Sequence, residues 1–354
     1  MTRAFDFDFD FDLLCELTEA RGVPGYEDDV RDIVRRELAE RVDRVRTDAM
    51  GNVVGTIEGS SDYAVAVAAH MDEIGFMVRH VTDDGFVQVD PLGGFDPRVL
   101  RAQRVTVHGT EDLTGVIGSV PPHTLTDEQK ENDDEVEDVF IDLGRDADAV
   151  AELVAVGDLV TLDQTTTRMG DRITGKALDD RICLFAALEA AERIENPDAT
   201  IHIAATVQEE VGLRGAKALG VDIDPDLAIA VDVTVANDVP QIGEPADAVT
   251  ELGEGTAIKL KDSSVITSPK VHGRLTDVAE AAGIDYQHEV LPSGGTDTAG
   301  FQNTAGAKPV GAISIPTRYL HTVTETADGN DVEATIDLLT AFLESETGEH
   351  DYTL

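Results

Sequence analysis

Four apolar segments that read as strands constrain the fold of this 354-residue chain most strongly. They are "YAVAVAAH" (63–70), "TIHIAATVQ" (200–208), "DLAIAVDV" (226–233) and "VGAISIP" (310–316). The first is nearly all apolar, as expected for a central strand that is buried on both faces of a sheet. Because helical patterns alternate with these strands, we expect an α/β fold.

The segments between the strands carry apolar residues at the spacing of one helix face. The segment 26–42 has acids in its first turn and apolar side chains at Val30, Ile33, Val34, Leu38 and Val42. Further helices are predicted over 181–194, 275–283 and 331–346. Hydrophobic residues make up 42% of the chain, which is enough for a sizeable core in one large or two ordinary domains.

The pattern changes between about Asp72 and Thr165, where short β-type runs are separated by Gly, Pro and Asp. This spacing predicts a small barrel or sandwich. The acidic stretch 124–138 interrupts it and is predicted to be an exposed loop. We therefore expect a discontinuous α/β domain made of residues 1–72 and 166–354, with residues 73–165 inserted as a β domain.

The formal net charge of -44 limits the partners of this chain. Phosphates would be repelled, which argues against nucleic acid and anionic membranes. The acids are spread over segments with regular apolar periodicity and are not gathered in tails. Together with few lysines and only 5% aromatic residues, this favours a folded protein in the salt-rich cytoplasm of a halophile. There, repulsion is screened within ~3 Å at 1 M salt.

Cysteines and apolar runs further restrict the class of protein. Cys15 and Cys183 are far apart and form no C-x-x-C motif, which argues against a disulfide framework or a thiolate zinc site. The chain has no apolar run of the length that a membrane span needs, and its N-terminus lacks the apolar stretch of a signal peptide. We therefore expect a cytoplasmic protein that does not enter membranes.

Phe and Asp alternate at the N-terminus, in "FDFDFDFD" (5–12). A period of two predicts a strand. The high charge of the segment is equally compatible with a mobile extension. We assign it no function.

Polar residues of the metal-ligand type stand where the apolar strands end. They are His70 and Asp72 after the first strand, Glu209 and Glu210 after the second, Asp232 within the third, His321 after the fourth, and Asp179 and Asp180 before a helix. In α/β sheets, sites form outside the carboxyl ends of the strands, so we expect these side chains to converge.

Each of these residues also has an ordinary structural interpretation. A histidine at a strand end is more often structural than a ligand, an Asp before a helix usually caps it, and adjacent acids usually lie in a solvated loop. Asp232 differs, because a carboxylate in a buried strand needs a cation or strong donors. Taken together, the histidines and carboxylates indicate a divalent metal site of the kind that suits zinc, cobalt or manganese.

Six motifs resemble, in order, those of the tetrahedral (TET-type) metalloaminopeptidases, some of which are labelled endoglucanase or glutamyl aminopeptidase. The motifs are "AAHMDEIGFMV", "TGKALDDR", "VQEEVGLRGA", "AIAVDVT", "PSGGTDTAGF" and "IPTRYLHT". The resemblance implies a zinc-exopeptidase-like (phosphorylase/hydrolase-like) domain. Its mixed sheet would carry helices on both faces and an inserted small β-barrel. It also implies that the barrel serves dimerisation, and that dimers build a hollow dodecamer that admits peptides.

The resemblance further implies a site with two divalent metals per subunit, zinc first, with cobalt or manganese as alternatives. One metal would be held by His70 and Asp232, and the other by Glu210 and His321. Asp179 would bridge them, although the choice between Asp179 and Asp180 stays open at this point.

The remaining roles follow from the same resemblance. Glu209 would act as the general base that takes a proton from a bridging water, and Asp72 would orient the imidazole of His70. The implied activity is removal of N-terminal residues from peptides.

Three other functions compete with an aminopeptidase. Paired carboxylates also cleave glycosides, but a chain without tryptophan supplies few sugar-stacking rings, and that chemistry would not need His70 and His321. A deacetylase or carboxypeptidase of the same clan would act on N-blocked substrates. A non-catalytic metal-binding protein would not need Glu209 beside a ligand, because a structural site needs no base.

Overall fold

The computed structural model describes Phe7 and residues 9–127, 135–240 and 248–354. Within these residues the strands are β1 (Arg44–Thr47), β2 (Val53–Ile57), β3 (Ala64–His70), β4 (Gly75–Val81), β5 (Val87–Leu92), β6 (Arg104–His108), β7 (Asp112–Ile117), β8 (Ile141–Asp142), β9 (Leu159–Leu162), β10 (Thr167–Met169), β11 (Arg172–Gly175), β12 (Thr200–Thr206), β13 (Leu227–Val235), β14 (Thr256–Lys261), β15 (Tyr286–Val290), β16 (Val310–Arg318) and β17 (Glu325–Asp328).

The helices of the described residues are α1 (Phe11–Glu19), α2 (Asp28–Arg41), α3 (Ala147–Leu153), α4 (Leu178–Arg193), α5 (Arg214–Ile223), α6 (Pro269–Ala282), α7 (Asp297–Gln302) and α8 (Gly329–Glu344). Short 3-10 turns occur at Pro97–Val99, Pro122–Thr124 and Val136–Asp138. No helix in the described part of the chain has the length and apolar character needed to cross a membrane.

The main sheet is mixed, with the strand order β1-β2-β12-β3-β13-β16-β17-β11-β10, and β14 and β15 attached beside β16. Its centre consists of β12, β3, β13 and β16, which are parallel to one another. Thr206 of β12 lies opposite His70 of β3, so these two strands end at the same level. The apolar segments are therefore interior strands, and their carboxyl ends share one edge of the sheet.

Helices cover both faces of this sheet, because alternate residues of β3 face opposite layers. Val65 and Val67 belong to a core that also contains residues of α1, α2, α4, α6 and α8. Ala66 and Ala68 belong to a second core with residues of α5 and α7. The small side chains on this second face leave room for close packing. The predicted α/β fold with helices on both faces is confirmed.

The strands β4, β5, β8, β7, β6 and β9 close into a barrel. It has its own hydrophobic core, in which Phe76 of β4 and Val160 of β9 are fully buried. Because β4 begins at Gly75, the barrel follows directly on the carboxyl end of β3. The barrel therefore stands beside the edge of the sheet where the polar residues gather. The acidic loop predicted over 124–138 lies partly outside the described residues, at 128–134.

The N-terminal Phe–Asp segment differs from both predictions made for it. Residues 5, 6 and 8 of this segment lie outside the described part of the chain. Phe7 and Phe9 are buried, with stacked rings whose centroids are 4.9 Å apart. Asp10 accepts hydrogen bonds from two amides and caps α1, so the remaining alternation is helical. The described part is thus neither a strand nor an extension away from the core. The period-two pattern arises because two rings enter the core just before a capped helix.

Candidate metal centre

Two groups of potential metal ligands share one residue, Asp179. The first group is His70, Asp179 and Asp232, and the second is Asp179, Glu210 and His321; within each, ligand atoms lie within 4.8 Å of one another. Asp179 Oδ1 lies 3.2 Å from His70 Nε2, while Asp179 Oδ2 lies 3.3 Å from His321 Nε2. One carboxylate thus faces both histidines, one through each oxygen.

The parallel centre of the sheet positions these side chains. His70 ends β3, Asp232 lies within β13, and Glu210 and His321 follow the ends of β12 and β16. Asp179 comes from another direction, in the first turn of α4 directly after β11. Four of the five side chains meet because parallel strands end at one edge, and the start of α4 adds the fifth, Asp179.

Asp180 lies beside Asp179 in sequence but serves a different contact. Its Oδ2 accepts a hydrogen bond of 3.0 Å from the backbone N–H of His70. Among the described residues, only Asp179 of this pair belongs to the ligand groups. The side chain of Asp180 instead holds the backbone of a candidate ligand in place.

Asp72 makes a contact that differs from the expected one. The ring nitrogen Nδ1 of His70 lies 3.0 Å from the main-chain oxygen of Asp72, and 3.5 Å from its carboxylate. That carboxylate accepts hydrogen bonds of 3.0 Å from the backbone N–H groups of both Glu209 and Glu210. Asp72 therefore holds the His70 ring mainly through its carbonyl and fixes the paired glutamates through its side chain.

Glu325 is a site residue that the sequence reasoning missed. It is 2% exposed, and its carboxylate accepts hydrogen bonds from the N–H of His321 at 2.8 Å and of Asp179 at 3.0 Å. One acid thus joins the two chain segments that carry these candidate ligands. In the sequence it lies within "TVTETADG", where nothing in the local pattern distinguishes it from a loop acid.

Glu209 stands beside the ligand groups without belonging to either. Its Oε2 lies 3.9 Å from His70 Nε2, and its side chain lines the same cleft as His70 and Asp232. Burial raises the pKa of Glu209 well above the ordinary range. Glu209 is thus a buried carboxylate beside the candidate ligands that is not one of them.

Burial and crowding shift the pKa of the other acids and histidines as well. Burial, with Asp179 close by, raises the pKa of Glu210 to about 8. Burial alone would raise the pKa of Asp179, but hydrogen bonds from His321 and His70 outweigh it and lower that pKa. Burial alone would lower the pKa of His321, but Asp179 and Glu210 raise it to about 10.

These residues fit divalent cations. The donor set combines imidazole nitrogens with carboxylate oxygens, which suits zinc and its neighbours among the transition metals. Buried acids at this density need positive charge close by. Asp72, Asp180 and Glu325 accept hydrogen bonds from backbone N–H groups of the candidate site. Such contacts outside the ligand set orient metal ligands.

Known proteins with the same fold carry aminopeptidase names. The chain is 37% identical to the lysyl aminopeptidase of Pyrococcus furiosus, over 94% of this chain and 96% of that one. The structure of aminopeptidase APDkam598 from Desulfurococcus kamchatkensis superposes with a TM-score of 0.91 at 39% identity, covering 96% and 95% of the two chains. The TET1 peptidase of Pyrococcus horikoshii has a TM-score of 0.85 at 32% identity, covering 95% and 99%.

Fold, site chemistry and relatives together define a metallopeptidase of the aminopeptidase class. A sequence model of the M42 glutamyl aminopeptidase family matches residues 51–338, and a second model, described as AMPT, matches residues 8–33. The chain belongs to the M42 glutamyl aminopeptidase family, as the six motifs predicted.

The glycoside hydrolase alternative loses its support. A Thermotoga maritima protein named Endoglucanase has the same fold, with a TM-score of 0.78 at 32% identity, covering 94% of this chain and 96% of that one. The name Endoglucanase is therefore attached to a protein with a peptidase-type fold. The chain is a peptide hydrolase.

Proposed function

We propose that this chain is an aminopeptidase that works with two divalent cations per subunit. One cation is held by His70, Asp179 and Asp232, and the other by Asp179, Glu210 and His321. The observation that carries the proposal is the shared Asp179, whose two oxygens lie 3.2 Å and 3.3 Å from the two histidines. Zinc suits these donors best, and cobalt or manganese are the alternatives.

When bound, the two cations supply Lewis-acid polarisation of the scissile carbonyl and of a nucleophilic water. Glu209 accepts the proton of that water at its carboxylate and delivers it to the nitrogen of the leaving amine. Such proton transfer contributes about 10²–10⁴-fold to the rate. Asp72 fixes the positions of Glu209 and Glu210, because each of its two oxygens accepts a hydrogen bond from one of their backbone N–H groups.

Preference for a free N-terminus follows from the charge of the cleft. The α-ammonium group of a peptide is a cation, and the carboxylate of Glu209, which belongs to neither ligand group, lines the cleft. An N-blocked peptide lacks this charge. The same contrast separates an aminopeptidase from a deacetylase or carboxypeptidase of the same clan.

We also propose that residues 73–165 form a module for dimerisation and assembly, and that residues 1–72 and 166–354 form the catalytic domain. The separate core of the barrel supports this division. Exposed Phe86 and Phe140, whose ring centroids are 6.3 Å apart, supply an apolar surface on the barrel. The Pyrococcus horikoshii relative assembles into a tetrahedron or a large octahedral shell. A dodecamer built from dimers is the corresponding assembly here, and light scattering measures it.

The net charge of -44 supports a working place in salt-rich cytoplasm. Dense surface acids repel one another in dilute buffer and are screened in concentrated salt. Thermal unfolding measured across a potassium chloride series tests this, and the midpoint should rise with salt.

Metal removal tests the proposed function. Stripping the protein with a chelator should abolish cleavage of aminoacyl chromogenic substrates, and zinc or cobalt should restore it. The matched N-acetylated substrates should remain uncleaved throughout. Full activity after rigorous metal removal, or preferred cleavage of the N-acetylated set, would refute the proposal.

A further inference from the structure

The candidate metal ligands form one end of a cleft of about 790 Å³. Outside the metal centre, the cleft is lined by glycine, serine and threonine, by Asp96, and by apolar side chains. The apolar side chains are Phe95, Leu213, Val233, Val235, Leu291 and Leu320. A substrate side chain that leaves the metal centre therefore meets described walls that are uncharged apart from Asp96.

The described residues of these walls supply no positive side chain. Among the described residues that line the cleft, none is a lysine or an arginine. A buried lysine, Lys259, lies nearby in the fold, but it is 0% exposed, and its ammonium group is bound by Glu289 and lies 3.7 Å from Asp262. Its charge is already neutralised and does not reach the cleft surface.

The negative charge in the described walls is already paired with a cation. Asp96 is the one acid of the described cleft lining outside the metal centre. Its two carboxylate oxygens accept hydrogen bonds from Arg98 Nε at 2.9 Å and 3.0 Å. Among the described lining residues away from the metal centre, no acid is therefore left without a cationic partner.

These charges decide which substrate side chains the cleft accepts. A glutamyl side chain would lose its hydration and gain no lysine or arginine partner from the described walls, which costs free energy. A lysyl side chain would lose hydration without gaining an ion pair. A neutral apolar side chain pays neither penalty and buries its surface against the apolar walls.

We propose, building on the aminopeptidase function above, that this chain prefers peptides whose N-terminal residue is neutral and apolar. It therefore differs in substrate class from the relative named lysyl aminopeptidase and from the glutamyl name of its family. Discrimination by hydrophobic and charge mismatch in such pockets is on the order of 10-fold or more in kcat/KM.

The measured preference should also depend on the salt concentration. The net charge of -44 attracts cations to the protein over long distances in dilute buffer, which raises the encounter rate of lysyl substrates. Concentrated salt screens this attraction but leaves contacts inside the cleft largely intact. The ratio of leucyl to lysyl turnover should therefore increase as salt increases.

A panel of aminoacyl coumarin amides tests the proposal directly. The holoenzyme, loaded with one metal, is assayed with leucyl, methionyl, phenylalanyl, glutamyl and lysyl substrates at low and high salt. We expect the best neutral substrate to exceed both charged ones at least about 10-fold in kcat/KM at high salt. A glutamyl or lysyl substrate as the best one overturns the inference and leaves the aminopeptidase function standing. Failure to cleave any of them refutes the function itself.

A pair of variants tests whether the charge of the cleft wall causes the substrate preference. Val235→Lys adds a cation to the wall, and Val235→Met is a neutral control of similar length. The lysine variant should raise the ratio of glutamyl to leucyl turnover at least about 10-fold, and the methionine variant should not. Thermal unfolding identifies any variant that fails to fold. A folded, active lysine variant with an unchanged ratio overturns the argument from wall charge.

Discussion

Replacing Glu325 with glutamine should weaken metal binding without touching a candidate ligand. The carboxylate accepts one hydrogen bond from the N–H of Asp179 and one from the N–H of His321. A glutamine side chain has one oxygen and one NH₂ group, so one backbone N–H would lose its acceptor and face another donor. The shape of the side chain is otherwise unchanged.

The size of the effect follows from the contact that is lost. Hydrogen bonds to charged groups contribute about 1.5–3 kcal/mol, which corresponds to roughly 10–100-fold in a binding constant. Asp179 belongs to both ligand groups, whereas His321 belongs to the second group alone, so both of the residues that Glu325 holds serve the second group and only one serves the first. The loss should therefore fall mainly on the cation held by Glu210 and His321.

Calorimetric titration of the metal-stripped protein with zinc measures this. Wild-type protein should bind two equivalents, and Glu325→Gln should bind one of them roughly 10–100-fold more weakly and the other with a smaller loss, because Asp179 serves both cations. Glu349→Gln, at an exposed position, is the matched control and should titrate like the wild type. If Glu325→Gln binds both equivalents with unchanged affinity while its unfolding midpoint falls, Glu325 has only a structural role and the reasoning is wrong.

Three further changes separate the roles of individual groups. Glu209→Gln should bind metal normally and lose about 10²–10⁴-fold in kcat; steady-state rates near wild type would remove it as the base. Lys176→Met removes the hydrogen-bonded cation of the buried carboxylate of Glu73, which lies 2.6 Å from the lysine, and leaves only Arg181 at 4.0 Å. It should cost about 3–5 kcal/mol in the free energy of unfolding. Arg44→Met, at an exposed pair, should cost under about 1 kcal/mol in the same denaturant titration.

Metal binding should also release protons. The pKa values of Glu210 and His321 are raised to about 8 and about 10, so both groups hold protons at neutral pH that a cation must displace. Affinity should therefore rise as pH increases. Titrations in buffers of different ionisation enthalpy report the protons released, and a pH-independent affinity would contradict the argument.

The sequence predicted the candidate ligands because their positions depend on a simple rule. His70, Asp232 and the paired glutamates are tied to apolar strands, and parallel strands bring their carboxyl ends to one edge. The choice between Asp179 and Asp180 could not be made this way. It depends on which carboxylate points between the histidines, and this is set by the backbone at the start of α4, where Asp179 and Asp180 depart from helical angles.

The contacts that hold the candidate ligands in place could not be predicted from the sequence, for a related reason. The contacts of Glu325 and Asp72 are with backbone N–H groups, which every residue carries and no pattern marks. The Phe–Asp segment shows the opposite difficulty, since its strong pattern has two physical origins. An alternation of aromatic and acidic residues can form a strand. In this chain it instead places two rings in the core and then continues as a capped helix.

Anomalous diffraction from metal-loaded crystals tests the central claim most directly. The account predicts two peaks per subunit, one between Asp179, His70 and Asp232 and the other between Asp179, Glu210 and His321. The carboxylate of Asp179 should lie between the two peaks. A single peak, or two peaks that do not share Asp179, would contradict it.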